Sequence, residues 1–186
     1  LALEGVEKMA RKGLFLVYTG DGKGKTTASL GVTLRAVGRG LHVRYMQFIK
    51  SPERTYGEQI ALSKLGVEME QMGIGFTWTK TPEEHRVALA KAWQKTKEAL
   101  QDDSIDLLVL DELNNALAIT KFPIDDVLPL AEVLEAIAQR PATMHLVVTG
   151  RSANPALVAM ADLVSTIDAT KHYYEEGIPA VKGLEF

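Results

Sequence analysis

The stretch Thr19-Gly20-Asp21-Gly22-Lys23-Gly24-Lys25-Thr26-Thr27 constrains this chain more than any other. It lies between an apolar run, Leu14 to Tyr18, and a helical pattern that begins at Thr26. Strand, glycine-rich turn and helix in that order read as a phosphate-binding loop. Glycines let successive backbone N–H groups close around phosphate oxygens, and the helix turns its positive N-terminal end toward the same anion. Lys25 supplies a point charge, and Thr26 a hydroxyl for Mg²⁺. Thr19 stands where the usual G-x-x-x-x-G-K-[ST] pattern has glycine, and Gly20 and Gly22 are expected to supply the missing flexibility. The alternative is a glycine-rich turn that holds no nucleotide. The loop does not say which bond of a bound triphosphate breaks.

The rest of the chain gives this loop an α/β frame. The expected strands are His42 to Ile49, Val67 to Met72, Ile105 to Leu110, His145 to Thr149 and Leu163 to Ile167. Between them run helical patterns, and one has a clear start: Thr81 as N-cap, Pro82 at the first helical position, and Glu84 placed for a capping box. Leu89, Trp93, Thr96 and Leu100 give that helix a core face. The alternation predicts a three-layer fold like that of P-loop NTPases, with a mostly parallel central sheet and helices on both faces. The 186 residues suit a single domain over residues 1–186. The segment from Lys171 to Phe186 is expected to pack along the sheet edge.

Composition narrows the function. A net charge of -3 gives no electrostatic footprint for nucleic acid. With no cysteine in the chain, disulfides, zinc ribbons, iron–sulfur clusters and thiol nucleophiles are excluded together. No apolar run approaches the roughly 18 residues that cross a bilayer, and no secretory pattern opens the chain, so no membrane partner and a cytoplasmic location are expected. The four histidines, His42, His85, His145 and His172, show no metal-ligand spacing.

Three further features carry chemistry. Asp111-Glu112 ends a buried apolar strand in the manner of a Walker B sequence, so one carboxylate is expected to approach Mg²⁺; otherwise the pair caps the next helix. Glu112 would also suit a water-activating base, so the pair alone does not separate hydrolysis from group transfer. Arg151, just past another strand end, is placed either to reach a phosphate or to sit in a solvated loop. Phe76 and Trp78, one residue apart, point the same way in an extended segment and either fill the core or form a platform for a flat ligand.

These stretches together resemble the ATP:corrinoid adenosyltransferases of the CobA, CobO and BtuR type. The resemblance rests on the phosphate loop, Arg35-Ala36-Val37-Gly38, Gln47-Phe48-Ile49-Lys50, Gly75-Phe76-Thr77-Trp78, Val109-Leu110-Asp111-Glu112-Leu113, Thr149-Gly150-Arg151 and Lys171-His172. It implies transfer of the 5′-deoxyadenosyl group of ATP to the cobalt(I) of a corrinoid with release of triphosphate, in adenosylcobalamin synthesis or salvage. The family's loop is atypical and takes ATP in reversed orientation, which accounts for Thr19. The corrinoid would be cobalamin, cobinamide or cobyrinic acid diamide, with an external electron donor such as a flavodoxin and a homodimeric assembly. Phe76 and Trp78 match the residues that remove the lower cobalt ligand, and residues 1–12 match a lid over the corrinoid. A P-loop nucleotide kinase, or a non-catalytic module binding ATP and a corrinoid, are the competing readings.

Overall fold

A computed structural model describes residues 12–75 and 80–186. The expectations placed on the lid segment before residue 12, and on Phe76 and Trp78, lie outside the described residues. The elements follow in the order β1 (Phe15–Thr19), α1 (Lys25–Val37), β2 (Val43–Gln47), α2 (Gly57–Lys64), β3 (Glu68–Gln71), α3 (Pro82–Leu100), β4 (Leu107–Asp111), α4 (Leu113–Leu117), α5 (Leu130–Gln139), β5 (His145–Thr149), α6 (Pro155–Met160) and β6 (Leu163–Thr166). A 3₁₀ turn over Tyr173–Glu176 follows β6.

All six strands are parallel, in the order β3-β2-β4-β5-β1-β6. The period-two alternation of the strands decides what each face holds. Phe15, Val17, Met46, Phe48, Leu108, Leu110, Leu146 and Val148 point to one face, where they pack with α3, α5 and the buried Leu113 and Leu157. Val43, Tyr45, Leu107, Val109 and Val147 point to the other, against Ala36 of α1 and Leu62 of α2. β4, covered on both faces, is buried at every position, which explains its continuous apolar sequence. The edge strand β3 is charged instead, and Arg44 on β2 lies 3.8 Å from Glu68 and 3.7 Å from Glu70.

Local chemistry sets where the helices begin. α3 opens on the expected capping box, with Thr81 and Glu84 bonding reciprocally and Pro82 in the first turn. α6 opens on Asn154, whose side chain accepts from the Ala156 N–H. α1 is different, because Gly24 precedes it at φ 120° with no side-chain cap and no acidic residue lies in its first turn. Its N-terminal amides and the positive end of its dipole are left to another partner. No helix among the described residues is long and apolar enough to cross a membrane.

Candidate functional site

The strand parity that sends Val43 and Tyr45 toward α1 sends Gln47, Asp111 and Thr149 the same way at the C-terminal ends of β2, β4 and β5. Gln47 pairs with Asp111 in register, and all three side chains are fully buried. Gln47 Nε2 donates to Asp111 Oδ2 at 2.9 Å, and Thr149 Oγ1 donates to Asp111 Oδ1 at 2.6 Å. From α1, Thr26 Oγ1 reaches the same carboxylate at 3.0 Å. Gln71 of β3 extends the row with a longer contact to Gln47 Oε1, 3.4 Å. Asp111 is thus a fixed anchor that ties the first turn of α1 to the sheet. Ser29 adds a second tie, donating to the Thr26 carbonyl at 2.7 Å while its hydroxyl lies 2.6 Å from the buried Tyr45 Oη.

Glu112 is in the opposite condition. It holds the left-handed backbone region at φ 64°, a conformation that costs a non-glycine residue about 1–2 kcal/mol. Its N–H donates to Thr149 Oγ1 at 3.0 Å, but its Oε2 is sealed from solvent and has no hydrogen-bond partner. Burial first, and the Asp111 charge second, push its carboxyl up to about 7, while Lys50, Lys25 and Arg151 pull the other way. A strained glutamate with one sealed, unpartnered oxygen beside a phosphate loop is the orphan that a divalent cation would satisfy. Thr26, Asp111 and Glu112 offer oxygen donors only, which suits Mg²⁺. Among the described residues, no three His, Asp or Glu side chains converge as a metal cage. A cation held here would complete its shell from water and substrate, as Mg²⁺ commonly does.

The phosphate loop itself departs from expectation in one respect. Gly20 and Gly22 supply close approach as well as flexibility. A Cβ on Gly22 would stand 2.6 Å from Asp168 C and 2.7 Å from Ile167 O, and one on Gly20 2.5 Å from Ile167 O. The loop is laced to the segment after β6: Ile167 N–H donates to the Thr19 carbonyl at 2.8 Å and Gly22 N–H to the Ile167 carbonyl at 2.7 Å. Thr19 closes β1 and its Oγ1 accepts from Ala153 N–H at 3.2 Å, while Asp21, Lys23 and Thr27 are exposed.

Four cations ring this end of the sheet. Lys25 Nζ donates to the Gly22 carbonyl at 2.5 Å, and burial, then the nearby Arg151 charge, hold its ammonium below the usual lysine range. Arg151 is exposed, and its backbone N–H is fixed by Asn115 Oδ1 at 2.8 Å. Lys50 is paired with Glu58 and sits 4.5 Å from the Tyr56 ring centroid. Lys23 forms an ion pair with Glu185, 2.8 Å. The segment 171–186 brings Glu185 to the phosphate loop. Gln47, Thr149, Lys50 and Glu185 were absent from the sequence-based site. The first two carried a signal in strand parity, as polar residues at the ends of buried strands; Glu185 carried none.

The histidines serve local structure. His42 Nδ1 lies 2.8 Å from the Ser104 carbonyl, His145 Nδ1 accepts from Leu14 N–H at 3.0 Å, His172 Nδ1 accepts from Tyr174 N–H at 3.1 Å, and His85 stacks on Phe122.

Comparison with known proteins bears on what such a site handles. The family model described as ATP:corrinoid adenosyltransferase BtuR/CobO/CobP matches residues 11–186. The corrinoid adenosyltransferase of Escherichia coli (strain K12) is 39% identical over 176 residues, covering 94% of this chain and 86% of that protein. Corrinoid adenosyltransferase CobA of Salmonella typhimurium is 39% identical with the same coverage, and the corrinoid adenosyltransferase of Pseudomonas aeruginosa is 40% identical over 187 residues, 97% of this chain and 89% of that one. On a match that spans almost every residue, phosphate loop and Asp111-Glu112 included, the chain belongs to the ATP:corrinoid adenosyltransferase family.

Proposed function

We propose that this site binds the triphosphate of ATP as a leaving group while the 5′-deoxyadenosyl group passes to the cobalt of a corrinoid. The observation that carries the reading is the family match over residues 11–186. The kinase and the non-catalytic module are not favoured by it.

The chemistry asks little of acid–base groups. Cobalt(I) of the corrinoid substrate supplies an electron pair to C5′ of ATP; the cobalt–carbon bond forms, the C5′–oxygen bond breaks, and that bonding pair leaves on the triphosphate. The chain's task is to align C5′ with cobalt and to stabilise the departing negative charge. The uncapped amides of α1, Lys25 and Arg151 are suited to hold the phosphates. Thr26, Asp111 and Glu112 would hold Mg²⁺, which when bound neutralises phosphate charge. Asp111, engaged by three side chains, keeps Thr26 oriented, and Glu112 offers the freer oxygen.

By resemblance to the family, Phe76 and Trp78 exclude the lower ligand of cobalt(II) and so ease its reduction, an external donor such as a flavodoxin supplies the electron, and the enzyme acts as a cytoplasmic homodimer of single-domain chains in adenosylcobalamin synthesis or salvage. The test is optical. With ATP, Mg²⁺ and a chemically reduced corrinoid, the protein should yield a light-sensitive adenosylated product, and Lys25→Ala should not; a corrinoid spectrum unchanged after incubation with the wild-type chain would refute the proposal.

A further inference from the structure

The contacts of Glu185 set it apart from the rest of the segment that follows β6. Its Oε2 lies 2.8 Å from Lys23 Nζ, and its Oε1 accepts a hydrogen bond from the Tyr173 hydroxyl. Tyr173 opens the 3₁₀ turn that His172 caps, so the carboxylate is held by a folded element. On the other side, the backbone of Phe186 lies against Gly57 at the start of α2, 3.8 Å from where a Cβ would stand. The segment thus leans on both the phosphate loop and α2. Lys23 sits between Gly22, whose N–H is bound to Ile167, and Gly24, which opens α1. The loop backbone under Lys23 is therefore fixed, while its side chain is 38% exposed and ends in a flexible point charge with three donors.

We propose that Glu185 and the triphosphate end of ATP compete for Lys23: the carboxylate holds the ammonium when the loop is empty, yields it to the incoming anion, and takes it back as triphosphate departs. The inference rests on reading the loop as the triphosphate site. The three donors of the ammonium can divide between a carboxylate and a phosphate, but the two anions repel each other across it, so each phosphate contact it makes weakens its bond to Glu185. The partly exposed pair is weak by itself, so it stores little and exchanges readily. Its effect is to lower the affinity of the loop for a highly charged product. Glu185 is then a positioning residue, acting through Lys23.

The test is calorimetric titration of the full chain with inorganic triphosphate and Mg²⁺ at low ionic strength. Glu185→Gln keeps the shape of the side chain and removes its charge. It should bind triphosphate about threefold or more tightly than wild type, the size expected of one exposed ion pair. Lys23→Ala should bind more weakly, and Glu185→Gln should tighten binding much less in the Lys23→Ala background than in wild type, because without the ammonium only the direct repulsion between the carboxylate and the phosphates is left to relieve. Adding salt should erase the tightening. Binding by Glu185→Gln that is unchanged or weaker, or a tightening just as large in the Lys23→Ala background, would overturn the competition while leaving the triphosphate site standing. No binding by the wild-type chain would overturn both.

Discussion

Thr26 Oγ1 lies 3.0 Å from Asp111 Oδ1, which joins the first turn of α1 to the last residue of β4. Through that bond the sheet, by way of Gln47 and Thr149, fixes the orientation of the hydroxyl beside the phosphate loop. Lys25→Ala and Thr26→Ala should each lower adenosylation by a factor of hundreds or more with the fold retained, since loss of one preorganised charge-stabilising donor costs roughly 3–4 kcal/mol. Steady-state rates at saturating ATP and Mg²⁺ check this, and near-normal turnover in either variant refutes the assignment.

The two carboxylates should separate by role. Asp111 accepts hydrogen bonds from three side chains and is fully buried, whereas Glu112 Oε2 has no partner. Glu112→Gln is expected to shift the Mg²⁺ concentration for half-maximal activity upward by about tenfold or more, about 1.4 kcal/mol. Asp111→Asn leaves an amide among donors and should lower the melting temperature as well. An unchanged metal response in both variants would make the pair structural.

Glu112 also predicts a pH dependence of stability in the metal-free chain. Its carboxyl is raised from 4.5 to about 7 in the native state. Below about pH 4.5 the group is neutral in both states and costs nothing. Between about 4.5 and 7 the unfolded chain releases the proton that the native chain keeps, so stability falls as pH rises; above about 7 the full penalty, roughly 3 kcal/mol, remains. Denaturant unfolding in the presence of a chelator should show wild type losing stability relative to Glu112→Gln across that window. Parallel pH profiles for the two proteins would contradict it.

Much of the frame was legible from the chain. Thr81, Pro82 and Glu84 announced α3 because a capping box is local chemistry, and the run Ile105 to Leu110 announced a doubly covered strand, observed as Leu107–Asp111, because burial on both faces leaves no alternation. The contacts of Asp111 were not legible, since they depend on which strands become neighbours and in what register. The same holds for Glu185, whose partner Lys23 is brought to it by the whole fold. Gly22 shows the limit most plainly: its glycine is required by Ile167 and Asp168, backbone that no loop pattern names.

Gly22→Ala therefore tests the lacing of the loop. The added Cβ would meet Asp168 C at 2.6 Å and Ile167 O at 2.7 Å, both backbone atoms that cannot swing aside. The expected outcome is a loss of about 1–3 kcal/mol of stability together with weakened ATP binding. A melting curve and a nucleotide titration equal to wild type would show that the loop accommodates the methyl group.

The proposed reaction requires the triphosphate to leave intact. Phosphorus nuclear magnetic resonance of a reaction containing the protein, ATP, Mg²⁺ and chemically generated cobalt(I) corrinoid measures it directly. Inorganic triphosphate should appear in a one-to-one ratio with the cobalt–carbon product. ADP with orthophosphate or a phosphorylated acceptor, formed without a cobalt–carbon bond, would contradict it.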